Sequence, residues 1–321
     1  MRNLVIFGLV LAGLGYGGAK FYLHSKVESG MDNAVLMMSP YADITYKGVS
    51  STMSGKLTVN GINARIKGFN DDLRIDKLGI DTPSFLTLLE LGDFASSMQS
   101  SNGELPEYLG FIIEGMHMPV NADYYRTLYD FGISALGPTD IEETAVQCTG
   151  KYGFSPATLA DLGYQEQVVS MAMYMRQSGA NYSIDISAST SEMWDVSAQM
   201  NFAGHMQSEI SKGPMFRPKL SRMELELTDR SLNQRVRDHC RARGLTDEQI
   251  LQAQLEALEF FGETNGIVFD DYVVTPYKEY LGGKSTFIVT AQPTEPLNLS
   301  QIALYKPSDV PALLNLEATA H

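Results

Sequence analysis

The chain has 321 residues, 44% of them hydrophobic, enough to bury a substantial core in one large domain or two modest ones; disordered and fibrous classes are excluded. Its 24 Lys+Arg against 38 Asp+Glu give a net charge of −14, which repels phosphate backbones and excludes a dedicated nucleic-acid binder. Two cysteines and five histidines are too few for a clustered zinc or iron–sulfur framework, so no metal or other cofactor is expected.

Between Arg2 and Lys20 lie 17 uncharged residues, Asn3 to Ala19. As a helix they span roughly 26 Å, close to a hydrocarbon core when Lys20 snorkels and Phe21–Leu23 extend the run. Residues 1–26 therefore read as a signal anchor crossing the membrane once. The alternative is a signal peptide removed after the small residues Gly17-Gly18-Ala19. Either way the rest of the chain is expected outside the cytoplasm. In that oxidising compartment Cys148 and Cys240 are a candidate disulfide, and two buried thiols are the alternative.

From Tyr41 onward apolar and polar residues alternate, the period-2 pattern of half-buried antiparallel strands. Ala42, Ile44 and Tyr46 oppose Asp43, Thr45 and Lys47. Asn60-Gly61, between two alternating runs, predicts a two-residue type I′ hairpin that pairs Val59 with Ile62 and Leu57 with Ala64. A strand over Asp72–Asp81 changes phase between Ile75 and Leu78, which predicts a bulge near Asp76-Lys77. Pro83 opens a short helix over Ser84–Leu91, and a strand over Gly110–Val120 precedes an aromatic helix with Tyr124, Tyr125 and Tyr129. Ser96–Gly103 is the best candidate boundary, leaving an N-terminal β-hairpin module at 27–95 and a β-meander body at 104–321.

In the body, Val169, Met171, Met173 and Met175 share a face, as do Tyr182, Ile184, Ile186 and Ala188. Trp194, Val196, Ala198, Met200 and Phe202 form a third set and Met223, Leu225 and Leu227 a fourth, so four strands in series make a meander. The intervening polar residues leave one face wet, and the other needs a cover. Ser231 with Gln234 predicts a capping box for a helix ending near Gly244. Thr246 with Gln249 predicts a second, stapled by Leu245 against Ile250 and stopped at Gly262. This pair, over 231–261, offers Ile250, Leu251, Leu255, Leu258 and Phe261 as a lid for part of the sheet. A strand follows at Thr286–Thr290, after which Pro293, Pro296, Pro307 and Pro311 break the tail.

Motifs for catalysis are weak. Gly282-Gly283-Lys284-Ser285 lacks the first glycine of a phosphate loop, and Gly153-Phe-Ser155-Pro-Ala157 lacks the last glycine of a nucleophile elbow. His239 and Cys240 diverge by about 100° on a helix and cannot readily share a metal. Met171, Met173 and Met175, with Met116 and Met118, read as adaptable packing or as the lining for an acyl chain rather than as a copper site. Arg230, Arg235, Arg237, Arg241 and Arg243 fall within 14 positions. They read as a solvated helix face, and Arg235, Arg237, Arg241 and Arg243 alternatively as a docking patch for an acidic partner or anionic headgroups.

The N-terminal segment, Ile44-Thr-Tyr46, Ser54-Gly-Lys-Leu-Thr-Val59 with Asn-Gly-Ile-Asn-Ala-Arg-Ile66, Leu73-Arg-Ile-Asp-Lys-Leu78 and the leucine-rich Phe85–Leu91 resemble the start of AsmA-like and TamB-like bacterial envelope proteins. The resemblance covers roughly residues 1–92. The layout is also similar to that of the YdgA-like proteins of unknown function. The resemblance implies a protein anchored in the bacterial inner membrane and facing the periplasm, with an apolar sheet groove that holds lipid; it carries over no catalytic residue.

The sequence thus predicts an α+β protein, mainly β: a twisted antiparallel sheet with a C-terminal helix pair behind one N-terminal transmembrane helix. The expected function is non-enzymatic binding of phospholipid or another acyl ligand in an open groove, or envelope maintenance. Candidate groove residues are Met171, Met173, Met175, Ile184, Ile186, Val196, Met200 and Leu225. The alternative is a scaffold with a closed sheet that binds an envelope protein through its arginine-rich helix.

Overall fold

The computed structural model describes residues 2–97, 106–124, 127, 148, 156–206, 218–266, 268–302 and 304–321, with 2–16, 92–97, 257, 260–261 and 264–265 described by backbone alone. Among the described residues, twelve strands and eight α-helices make it mainly antiparallel β with helices attached. The chain divides into two compact units, Met1–Gly115 and Met116–His321. The division falls inside a strand, not at Ser96–Gly103, and residues 98–105 lie outside the described residues.

The first unit begins with α1 (Arg2–Met38), which continues without a break past residue 26. Its middle is built into the core: Leu23, 2% exposed, packs with Leu57, Phe85 and Leu88, and Ala19 and Val27 pack against that cluster. No helix among the described residues is long and apolar enough to cross a membrane, and the side chains of residues 2–16, the greasiest part of the run, are outside them. The strands are β1 (Ala42–Thr45), β2 (Gly48–Ser51), β3 (Lys56–Ile66), β4 (Asp72–Asp81) and β5 (Tyr108–Pro119). α2 (Phe85–Ser97) lies between β4 and β5 and outruns the helix expected over Ser84–Leu91.

Asn60-Gly61 is not a hairpin turn. Both residues lie in the middle of β3, which pairs with β1 and β2 on one side and β4 on the other. Gly61 takes a left-handed φ of 60° there, a conformation glycine enters without steric cost, and the buried positions switch from Leu57 and Val59 to Ile62. The facing strand switches at the same level: Val59 stands opposite Leu78 and Ile62 opposite Ile75, in one continuous register. The expected bulge at Asp76-Lys77 is therefore a matched kink, with no residue gained on either strand. Gly115, with φ 64°, has no room for a Cβ against the Asp76 side chain, so the kink line reaches β5.

The second unit holds the expected meander: β6 (Glu166–Ser178), β7 (Asn181–Thr190), β8 (Trp194–Ala203) and β9 (Lys219–Asp229), followed by β10 (Thr286–Ala291) and β12 (Leu316–Ala320) in hydrogen-bonded order. β11 (Leu297–Asn298) pairs beside β10 on β9. The path is open, since β12 pairs only with β10 among the described strands.

Three helices, not two, follow β9: α4 (Leu232–Ala242), α5 (Asp247–Asn265) and α6 (Asp271–Leu281). Short α3 (Pro156–Asp161) precedes β6, and α7 (Leu299–Ile302) and α8 (Val310–Leu313) lie near the C-terminus. Thr246 and Gln249 form the reciprocal capping box expected of them, whereas α5 passes Gly262 and stops at left-handed Gly266. Ser231 occupies the cap position of α4 without capping it. Its hydroxyl donates to the Glu192 carbonyl, and Asp229 Oδ1 accepts from Asn233 N at 3.0 Å in its stead. The aromatic helix expected beyond Tyr124 and the Gly153–Ala157 turn fall largely outside the described residues.

Candidate functional site

Ladder register places the apolar residues of the second unit in rows, because residues directly opposite on antiparallel strands share a face. One row is Met171, Ala188, Val196, Leu227, Phe287 and Ala320. The central row is Met173, Ile186, Ala198, Leu225, Val289 and Ala318. The third is Met175, Ile184, Met200, Met223, Ala291 and Leu316. All eight groove candidates read from the sequence lie on this one face, and the unread strand β12 adds three further positions.

The ends of this face are covered. At one end Tyr182 and Phe202, 3% and 2% exposed, stack with ring centroids 5.0 Å apart, and the buried Leu220 stands opposite Phe202 in the ladder. Toward β10 and β12, Tyr280 and Leu281 of α6 cluster with Ala320, and Leu227, Leu251, Tyr277 and Phe287 pack against them. Burial raises the phenol pKa values of Tyr277 and Tyr280. At the remaining end, Val120, Cys148, Leu159, Leu162, Tyr164, Met193, Val236, Cys240 and Ile250 form one buried cluster. The centre differs. Met171, Ile186 and Leu225 are 38%, 40% and 37% exposed, and Met173, Met175, Ile184, Val196 and Met200 are half-buried.

The expected lid stripe is buried at Ile250 and Leu255, 1% and 8% exposed, and half-buried at Leu251 and Leu258. α5 packs on α4 and α6; Ile250 enters the disulfide cluster and Leu251 the Tyr280 cluster, while the Phe261 side chain is outside the described residues. The opposite face of the sheet is polar: Arg176 pairs with Asp185, Arg222 with Glu224 at 2.8 Å, and Arg230 with Asp195 at 2.6 Å.

Cys148 and Cys240 form a disulfide, 5.6 Å between Cα atoms, that closes a separation of 92 residues. His239-Cys240 is thereby removed as a ligand pair. Among the described residues no group of three or more His, Cys, Asp or Glu could hold a metal ion. Lys284, of the would-be phosphate loop, donates to Glu279 at 2.7 Å and to the Ala320 carbonyl at 2.9 Å. His117 lies 3.3 Å from Glu166.

The arginine-rich helix is engaged within its own unit. Arg235 pairs with Glu192 at 3.1 Å, donates to the Leu162 carbonyl and lies 4.1 Å over the Tyr164 ring. Arg237 donates to the Leu281 carbonyl at 2.7 Å. Arg241 meets Asp247 at 2.6 Å, and Arg243 approaches Asp161 at 4.0 Å. These contacts tie α4 to α3, α5, α6 and the β7–β8 turn. Each of the four guanidinium groups proposed from the sequence as a docking patch thus meets an acidic side chain or a carbonyl of its own unit, and those of Arg241 and Arg243 stay 46% and 44% exposed.

The geometry defines a mainly antiparallel β-protein whose second unit exposes the centre of an otherwise packed apolar face. A protein-family model described as "Uncharacterized protein" matches residues 167–321, the stretch from β6 to the C-terminus that carries this face. No curated protein matches the chain.

Proposed function

We propose that the chain is a membrane-anchored protein of the bacterial periplasm that holds phospholipid or another acyl ligand on the bare centre of this sheet, without chemistry of its own. The observation that carries the reading is the row through Met173, Ile186, Ala198 and Leu225, apolar on every strand, exposed at Ile186 and Leu225, half-buried at Met173 and Ala198, and flanked by packed ends. Scattered exposed apolar residues need no explanation, but a contiguous patch marks a binding surface. Methionine suits a ligand of variable shape, because its unbranched thioether repacks readily.

Two further features support the setting. α1 is continuous from the apolar run into the core of the first unit, so cleavage after Ala19 would cut the helix where it docks; a retained anchor avoids this. A disulfide suits an oxidising compartment.

The test is native mass spectrometry with lipid extraction. The full chain is used, because a body starting at Val27 would lose Leu23 from the core. A stoichiometric acyl ligand is expected, lost in Ile186→Asp and Leu225→Asp and retained in Asp185→Ala on the polar face. A ligand-free native chain, or equal retention in all three variants, overturns the reading.

A further inference from the structure

We infer that the first unit seats directly on a lipid bilayer surface through a collar of exposed side chains, Phe21, Met53 and Leu86, at the level where α1 leaves its apolar run. The inference rests on the anchoring part of the reading above and adds a contact surface to it.

Three contacts set the level. Leu23 of α1 is buried against Phe85 and Leu88. His24 Nε2 lies 2.9 Å from Ser51 Oγ. Phe85 N donates to the Met53 carbonyl at 3.3 Å. The β2–β3 turn and the start of α2 therefore lie beside residues 23–24 of α1. At this level Phe21 is 78% exposed and Met53 and Leu86 are each 69% exposed.

Phe21 precedes Leu23 by two positions, which turns its side chain about 200° around the helix, away from the packed side. Met53 and Leu86 belong to the elements on the packed side. Apolar exposure on both sides of a helix at one level is what a plane crossing the helix requires. A groove for a peptide or a partner helix would place it on one side only.

The flanking chemistry fits the same plane. Asn3–Ala19, without a charge, leads directly into Lys20. Tyr22 and Lys26 follow, with the Lys26 ammonium 4.9 Å from the Tyr22 ring centroid, the pairing of aromatic rings and snorkelling cations typical of a membrane–water interface. Further along α1, Glu28, Ser29 and Asp32 are exposed and Asp32 accepts from Tyr46 at 2.8 Å, so a polar stretch separates this level from the exposed Leu36, Met37 and Met38 at the helix end.

The experiment reconstitutes the full chain into vesicles of phosphatidylethanolamine and phosphatidylglycerol, with one environment-sensitive fluorophore on Met53→Cys, Leu86→Cys or Leu36→Cys. Labelling is done without reductant so that the Cys148–Cys240 bond stays closed. Leu36, 71% exposed, is the control, about 20 Å farther along α1 at 1.5 Å per residue. Nitroxide-bearing lipid is expected to quench most of the emission at positions 53 and 86 and to leave position 36 unchanged. Vesicle flotation of the labelled chain with no more quenching at 53 and 86 than at 36 overturns the collar while leaving the anchor intact. A chain that does not float with the vesicles overturns the anchor, and the collar with it.

Discussion

The two ends and the centre of the second unit's apolar face carry the same alternation and end up in different surroundings. Tyr182 and Phe202 at one end, and Leu227 and Phe287 at the edge reached by α6, are packed by neighbouring side chains. Ile186 and Leu225 between them keep more than a third of their surface exposed. Alternation decides which side of a sheet is apolar; it does not decide what lies on that side. In this unit helices dock at the disulfide-held end and at the edge by β12, and the stacked Tyr182 and Phe202 bury the third end, so the ends serve as core and the centre is left as a surface.

The largest expected effect tests the end held by the disulfide. Cys240 is fully buried among Leu159, Val236 and Ile250, and closing 92 residues removes about 4–5 kcal/mol of chain entropy from the unfolded state. Reduction, or Cys148→Ser with Cys240→Ser, is expected to lower the urea midpoint of the second unit by a corresponding amount. An unchanged midpoint would mean that this cluster holds without its crosslink.

The contrast itself is tested by paired truncations. Phe202→Ala removes a buried, stacked ring and is expected to destabilise by about 3–5 kcal/mol. Leu225→Ala, on the exposed row, is expected to cost about 1 kcal/mol or less, because much of its surface is already in water. Thermal or urea unfolding of both variants decides. Similar losses would show the centre to be core and would remove the basis for a ligand there.

How far the sequence reaches can be read from particular residues. The strand Asp72–Asp81, the four-strand meander and the Thr246–Gln249 capping box were legible because each depends on local periodicity or on a side chain three residues from its target. Asn60-Gly61 misled because the same dipeptide serves a two-residue turn and a left-handed kink inside a strand. The phase change at Ile75–Leu78 was visible in the sequence, but its partner at Gly61 lies on another strand. β12 was hidden by its brevity among prolines, and α6 by Pro276 within it. The groove candidates were placed on one face by periodicity alone. Their exposure depends on where α5 and α6 dock, which is tertiary information.

The helices that cover the ends can be loosened one cap at a time. Thr246→Ala removes the side chain that accepts from Gln249 N and is expected to cost about 1 kcal/mol. Ser231→Ala removes no such bond, since α4 is capped by Asp229, and disturbs instead the 3.0 Å contact with the Tyr164 hydroxyl. Hydrogen exchange in the first turn of each helix separates the two. Thr246→Ala should speed exchange at Gln249, and Ser231→Ala should leave Asn233 protected.

The smallest expected effect is in pH dependence, where two carboxylates beside these helices act in opposite directions. Burial raises the pKa of Asp229 above the ordinary 3.8, outweighing its bond from Asn233 and the nearby Arg237. The folded chain then binds this proton more tightly than the unfolded chain, so the Asp229 contribution is fully present below about 3.8 and is lost as pH rises through the raised value. Asp247 runs the other way: its hydrogen bond from Arg241 holds the pKa down, so its contribution is present above 3.8 and disappears as pH falls through the lowered value. Asp247 is exposed, and solvent screening keeps its share small. Asp229→Asn preserves an acceptor for Asn233 N and abolishes the titration. Its urea midpoint is therefore expected to gain on the native chain as pH rises from about 3.8 toward neutrality, and Arg241→Gln should flatten only the acid limb. A constant gap between Asp229→Asn and the native chain across that range would show that the end beneath α4 is wetter than its burial implies, and would narrow the difference between end and centre.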